Sequence, residues 1–317
     1  MMMKITIDKL YNLQSFDTAK DYFKSQDSAG GTILARSLEH ISAEVFKQRI
    51  AGLSFLTGTG IEVNNEGGYA KNITKLKESV MGDFRDAGDN TNSTGKISVG
   101  VEDDTIPVFF KDAGSEWSQI DLERASLENR NLVASFIAAH DQKYKEAIDT
   151  IGYIGNGTKT KGLLNFAGFT STASAKTFAL STGQEMYDEI KDLVMAQRAS
   201  VLNDEVFSCN KIALHPATYN LLVGTFLNTA GGIATIADAI KTALNVEFVL
   251  TSKALIGGVY RVVAYSSNRQ AMQTRIPVPL MISNQYTQGF KHQIESMFGV
   301  AGVDIMENGA GYILTGV

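Results

Sequence analysis

Apolar residues between Trp117 and Ile151 recur at three- and four-residue steps: Val133, Phe136, Ile137, His140, Tyr144, Ala147, Ile148 and Ile151 share one stripe. Glu123, Arg130, Asp141, Lys143 and Glu146 occupy other faces, and glycine and proline are absent from 115 to 151. The pattern predicts one helix over about 117–151, on the order of 45–50 Å long, ended by Gly152 and Gly155. No second segment of that kind is available to form a coiled coil, so the stripe is expected to lie along a sheet.

From 166 to 270 the period alternates between helix and strand. Thr182 and Glu185 form a capping-box signature ahead of Met186, Tyr187, Ile190, Leu193 and Val194. Lys211–Leu214 reads as a strand, His215-Pro216 opens a short helix, and Ile236, Ile240 and Leu244 mark another after the Gly231-Gly232 turn. Val246–Leu250 and Val259–Tyr265 read as strands. Beyond 275 strand alternation returns, at Val278–Met281, Gln293–Phe298, Val300–Ile305 and Tyr312–Leu314. This final stretch needs the long helix to cover it, which makes the α/β segment an insertion and the fold class α+β.

Two segments lack a core pattern. Residues 1–50 carry both charge signs and short amphipathic runs at 33–38 and 41–50, as in an irregular N-terminal extension of the domain or an arm that lies on another subunit. In 61–105, Gly67-Gly68, Gly82, Gly88 and Gly95 interrupt short alternating pieces such as Ile97–Val101, as in a two-stranded excursion with a flexible tip. A two-stranded ribbon is marginal in water and needs a partner surface.

Composition narrows the function. Lys and Arg number 29 against 34 Asp and Glu, a formal net charge of -5, so no global basic field exists for tight generic binding to nucleic acid. A lone cysteine, Cys209, excludes an internal disulfide and cysteine-cluster metal sites. The residues after Met1-Met2-Met3 do not form a secretory signal, and no run reaches the roughly 18–20 apolar residues of a membrane span, so a soluble intracellular product is expected.

Catalytic motifs are missing. Gly152-Tyr-Ile-Gly-Asn-Gly157-Thr158-Lys159-Thr160 has an extra residue before its lysine and follows a helix where a phosphate loop precedes one. His40, His140, His215 and His292 show no metal-ligand spacing. His140 lies on the apolar stripe as a core histidine, His215 belongs to a turn, and Cys209 has no placed base. Glu102, Asp103 and Asp104 read as a solvated acidic bend. No G-x-S-x-G elbow is present, and neither a cofactor nor a metal is expected.

The order of these elements resembles that of tailed-bacteriophage major capsid proteins of the Hong Kong 97-like fold, shared with encapsulin nanocompartments. The residues that carry the resemblance are the arm, the excursion, Arg130-Asn131-Leu132-Val133-Ala134 in the long helix, Lys161-Gly162-Leu163-Leu164-Asn165 after it, and the glycine-rich run from Phe298-Gly299 to Gly311-Tyr312. The resemblance implies an N-terminal arm at 1–50, a peripheral domain from 51–66, 106–165 and 271–317, an extended loop at 67–105, and an axial domain at 166–270. It further implies a non-enzymatic shell protein of a virion, assembled in the host cytoplasm from pentamers and hexamers around double-stranded DNA. A scaffolding protein, a portal and decoration proteins are its expected partners, and no membrane. No coiled-coil extension resembling a built-in scaffold is seen at the start.

The candidate inter-subunit contacts are Lys71, Lys75, Lys77, Asp83, Arg85, Lys96, Glu102, Asp103 and Asp104. Some members cross-link a loop lysine to a peripheral asparagine, a role in which Lys71, Lys75, Lys77 or Lys96 would meet Asn308. An encapsulin-type shell and an α/β-domain enzyme are the alternatives.

Overall fold

A computed structural model describes residues 52–84, 95–128, 130–157, 160–229 and 232–317. The expected arm and Arg85 lie outside them. The described chain opens with a one-turn helix α1 (Phe55–Gly58) and strands β1 (Val63–Asn64), β2 (Asn72–Met81), β3 (Ser98–Pro107) and β4 (Phe109–Ser118).

The single helix expected over 117–151 is two helices, α2 (Gln119–Leu127) and α3 (Leu132–Ile154). Trp117 belongs to β4, and helix starts only where Ser118 forms a capping box: its hydroxyl accepts from the Asp121 N–H while the Asp121 carboxylate accepts from the Ser118 N–H. Helix starts again at Asn131, whose side chain accepts from the Ala134 N–H at 3.0 Å. Two polar caps inside one apolar-periodic run thus replace the continuous spine. The far end also differs: Gly152 stays helical, and Gly155, at φ +91°, ends the helix. A Cβ on Gly152 would meet the Phe55 ring at 2.4 Å, so the glycine lets α1 lie directly against α3.

The Gly162–Asn165 turn docks on that end. Leu163 and Leu164 are buried and donate their N–H groups to Gly152 O and Tyr153 O. A side chain at 162 would meet the Tyr153 and Ile154 backbone at 2.4 Å.

The remaining elements are β5 (Thr170–Ala173), α4 (Gly183–Ser200), β6 (Lys211–Leu214), α5 (Pro216–Gly224), β7 (Phe226–Thr229), β8 (Gly232–Thr235), α6 (Ile236–Leu244), β9 (Glu247–Leu250), β10 (Leu255–Ile256), β11 (Val259–Tyr265), β12 (Met272–Arg275), β13 (Val278–Ile282), β14 (Tyr286–Gln288), β15 (Lys291–Val300), β16 (Gly302–Ile305) and β17 (Gly311–Thr315). A six-stranded mixed sheet runs β5-β17-β11-β6-β9, with β10 on β11. The final strand is therefore not part of the 271–317 peripheral unit expected from the sequence: β17 pairs along its length with β11 and β5.

Alternation along β11 explains why the α/β segment is not a free-standing insertion. Val262 and Ala264 enter one core with α4 and α6, whereas Val263 and Tyr265 enter a second core with Phe55, Ile148, Ile151 and Leu163. One sheet thus separates both cores and belongs to each.

The second core is closed by α3 and two smaller sheets, β1-β12-β16 and a four-stranded sheet centred on β15, with β4 along one edge and β13 and β14 along the other. Trp117 stacks on Phe136 with ring centroids 4.8 Å apart, and Tyr144 meets Phe298 edge-on at 5.0 Å. Of the predicted stripe, Ile137 is exposed.

Candidate functional site

Strands β2 and β3 form an antiparallel ribbon in unbroken register from Asn72↔Pro107 to Met81↔Ser98. Side chains alternate between faces, and directly opposed residues share one. One face therefore carries the pairs Ile73/Ile106, Lys75/Asp104, Lys77/Glu102, Ser79/Gly100 and Met81/Ser98. The other carries Thr74/Thr105, Leu76/Asp103, Glu78/Val101 and Val80/Val99. On this second face Leu76, Val80, Val99 and Val101 are 68%, 75%, 60% and 55% exposed. They zigzag between the strands, flanked by Glu78 and Asp103.

The base of the ribbon is fixed by buried charge. Asp304, on β16 and 1% exposed, accepts from Arg275 Nε at 3.1 Å and, on its other oxygen, from Lys75. Lys75 Nζ also donates to Ile305 O at 3.2 Å and lies 3.1 Å from Asp104 Oδ2. Arg275 extends the network to Glu66, 3.3 Å away. The buried Asp304 carboxylate is held because each of its oxygens accepts from a cation.

This arrangement sorts the residues singled out in the sequence. Lys71, Lys77, Asp83, Lys96, Glu102 and Asp103 are exposed on or beside the ribbon. Lys75 stands apart from them: its amine is paired with Asp304 and Asp104 within the chain and its side chain is 11% exposed. Asp104 faces Lys75 in the same cluster. Glu102, Asp103 and Asp104 form no bend but lie in β3, opposite Lys77, Leu76 and Lys75. Sequence reading missed Asp304 and Arg275. Their signal was an acid inside Val303-Asp304-Ile305 and a base inside Thr274-Arg275-Ile276, charges within strand-like apolar runs.

The residues considered for chemistry have structural roles. His140 is buried between Ser115 Oγ at 2.9 Å and Ser296 Oγ at 2.7 Å. His215 caps α5 by accepting from the Ala217 N–H at 3.1 Å. Cys209 is 2% exposed, and burial pushes its thiol up to about 12, away from the thiolate a nucleophile needs. Among the described residues no group of His, Cys, Asp and Glu is arranged to hold a metal.

No curated protein sequence matches the chain. Among solved structures, a chain from the capsid of Myoviridae phage XM1 is 44% identical, with a TM-score of 0.81 over 89% of this chain and 98% of that one. The capsid of a native GTA particle is similar over 91% of this chain and 98% of its own, at 13% identity and a TM-score of 0.66. A Mycobacterium phage Ogopogo chain covers 90% and 98%, at 12% identity and a TM-score of 0.58. The latter two show the fold alone, the α+β fold of these capsids, and none of the three favours the encapsulin alternative. A family model described as major capsid protein matches residues 85–317, a range that includes β3 and every described element after it, and the chain therefore belongs to the major capsid proteins of tailed phages.

Proposed function

We propose that copies of this chain build the icosahedral shell of a virion head around double-stranded DNA, as pentamers and hexamers, without catalysing a reaction. The observation that carries this reading is the ribbon: a pair of ten-residue strands whose apolar face no other described residue covers. A ribbon of this kind gains stability only against another surface, and in a shell identical neighbours supply that surface in repeat. Each contact is modest and the lattice multiplies it. The acidic balance of 29 bases against 34 acids suits a wall that must hold DNA without binding it tightly.

Assembly in the host cytoplasm, with a scaffolding protein, a portal and decoration proteins, belongs to the same reading. Among the described residues no helix is long and apolar enough to cross a membrane. The test is electron microscopy of the purified full chain under assembly-promoting conditions, with analysis of the contents of particles made in cells. Closed shells containing DNA are expected when packaging proteins are present. A chain that stays monomeric overturns the proposal, and particles loaded with a host enzyme would point to the encapsulin-type shell instead.

A further inference from the structure

The two faces of the ribbon are not equivalent, and their difference assigns an orientation. The Lys75 face is anchored at its base by Asp304 and Asp104, carries Lys77 opposite Glu102 and then the small pair Ser79 and Gly100, and has one exposed apolar side chain, Met81, at its outer end. The opposite face concentrates Leu76, Val80, Val99 and Val101. Val80 and Val99 directly oppose each other, with Val101 diagonal to Val80, and such exposed apolar neighbours are costly to leave in water, at about 25 cal/mol per Å2 of apolar surface.

We infer that the apolar face, Leu76, Val80, Val99 and Val101, is the one laid on a second copy of this chain, while the Lys77–Glu102 face is turned to solvent. This rests on the shell reading above and adds the side of contact. Two observations select a second copy over the ribbon's own body. The buried Lys75–Asp304–Arg275 cluster fixes the base of the ribbon on β16 and β12, and the same strands leave the apolar face uncovered from Leu76 onward. Area supplies the other argument. Ten residues at about 3.3 Å rise, across two strands about 4.8 Å apart, give one face on the order of 300 Å2. That is less than half of the roughly 800 Å2 per partner in a stable pairwise interface. Such a face is too small to hold an isolated dimer but fits one contact among several repeated in a lattice.

Single-cysteine reporters test the orientation. Val80→Cys and Val101→Cys mark the apolar face, and Lys77→Cys and Glu102→Cys mark the charged one. The natural thiol of Cys209 is buried and does not compete for label. Each full-length variant is co-assembled at a low ratio with unmodified chain, so that particles form even where a reporter weakens its own contact. In dissociated subunits all four should react with a maleimide at similar rates. In particles the Val80 and Val101 reporters should slow by about tenfold or more, while those at 77 and 102 keep their rates. Protection of the charged face instead, equal reactivity of both faces in particles, or protection of Val80→Cys already in dissociated subunits each overturns the inference. If the unmodified chain forms no particles, the shell reading fails first. If particles form and the labelling is reversed, the orientation alone fails.

Discussion

Lys75 and Lys77 show what a one-dimensional reading misses at the residue scale. They share one face of β2, two positions apart, yet only Lys75 is close enough to the ribbon's base to reach Asp304. A charge pattern places both on an exposed ribbon; only the packing of β16 beneath the base separates them. Asp304 is the residue on which that base depends, because two cations converge on its buried carboxylate. Asp304→Asn should therefore destabilise the folded subunit by about 3–5 kcal/mol, the usual result of breaking a buried ion pair on one side. A lowered urea midpoint with unchanged slope would show it, and an unchanged midpoint would mean the cluster adds nothing to the fold. Gly152 is a steric counterpart: Gly152→Ala puts a methyl group where the Phe55 ring lies, and should cost about 1–3 kcal/mol in the same assay.

Elements with a local signature were legible from sequence. The Thr182–Glu185 box is present at the start of α4, and Ile236, Ile240 and Leu244 form the buried face of α6. The break between α2 and α3 was not legible, because Asn131 sits within a periodic run and neither glycine nor proline marks the interruption. Asn131→Ala should cost about 1 kcal/mol through loss of the cap, read as faster amide exchange in the first turn of α3. The α4 cap also responds to pH. The hydrogen bond from Lys176, then those from Thr182, hold the Glu185 carboxyl down to about 2, against an ordinary value of 4.5. A depressed folded value means that the stabilisation is complete above 4.5 and is lost as pH falls from there through about 2. Amide exchange in the first turn of α4 should speed up over that acid window in the native chain and become nearly pH-independent there, after correction for intrinsic rates, in Glu185→Gln.

On the scale of the whole molecule, the last strand changes how the chain divides. A boundary at 271 followed from the return of strand alternation, but alternation cannot say which sheet a strand joins, and β17 completes the six-stranded sheet between the two cores. Both cores are thus closed without the outer ribbon, and this sets up a clean separation of folding from assembly. Removing the whole excursion, 67–105, would also remove Lys75 from Asp304 and confound the two. The sharper change replaces 76–103 with Asn-Gly, joining Lys75 to Asp104 through a tight turn of the kind that closes hairpins and keeping the buried cluster. The deleted apolar side chains are largely exposed, so the unfolding free energy of the subunit, from urea titration, should stay within about 0.5 kcal/mol of the original. Closed particles should nevertheless fail to form in electron microscopy, because the lost surface faces copies of the chain. Normal particles from this variant would show that the ribbon is dispensable for the shell, and an unfolded subunit would show that it supports the body.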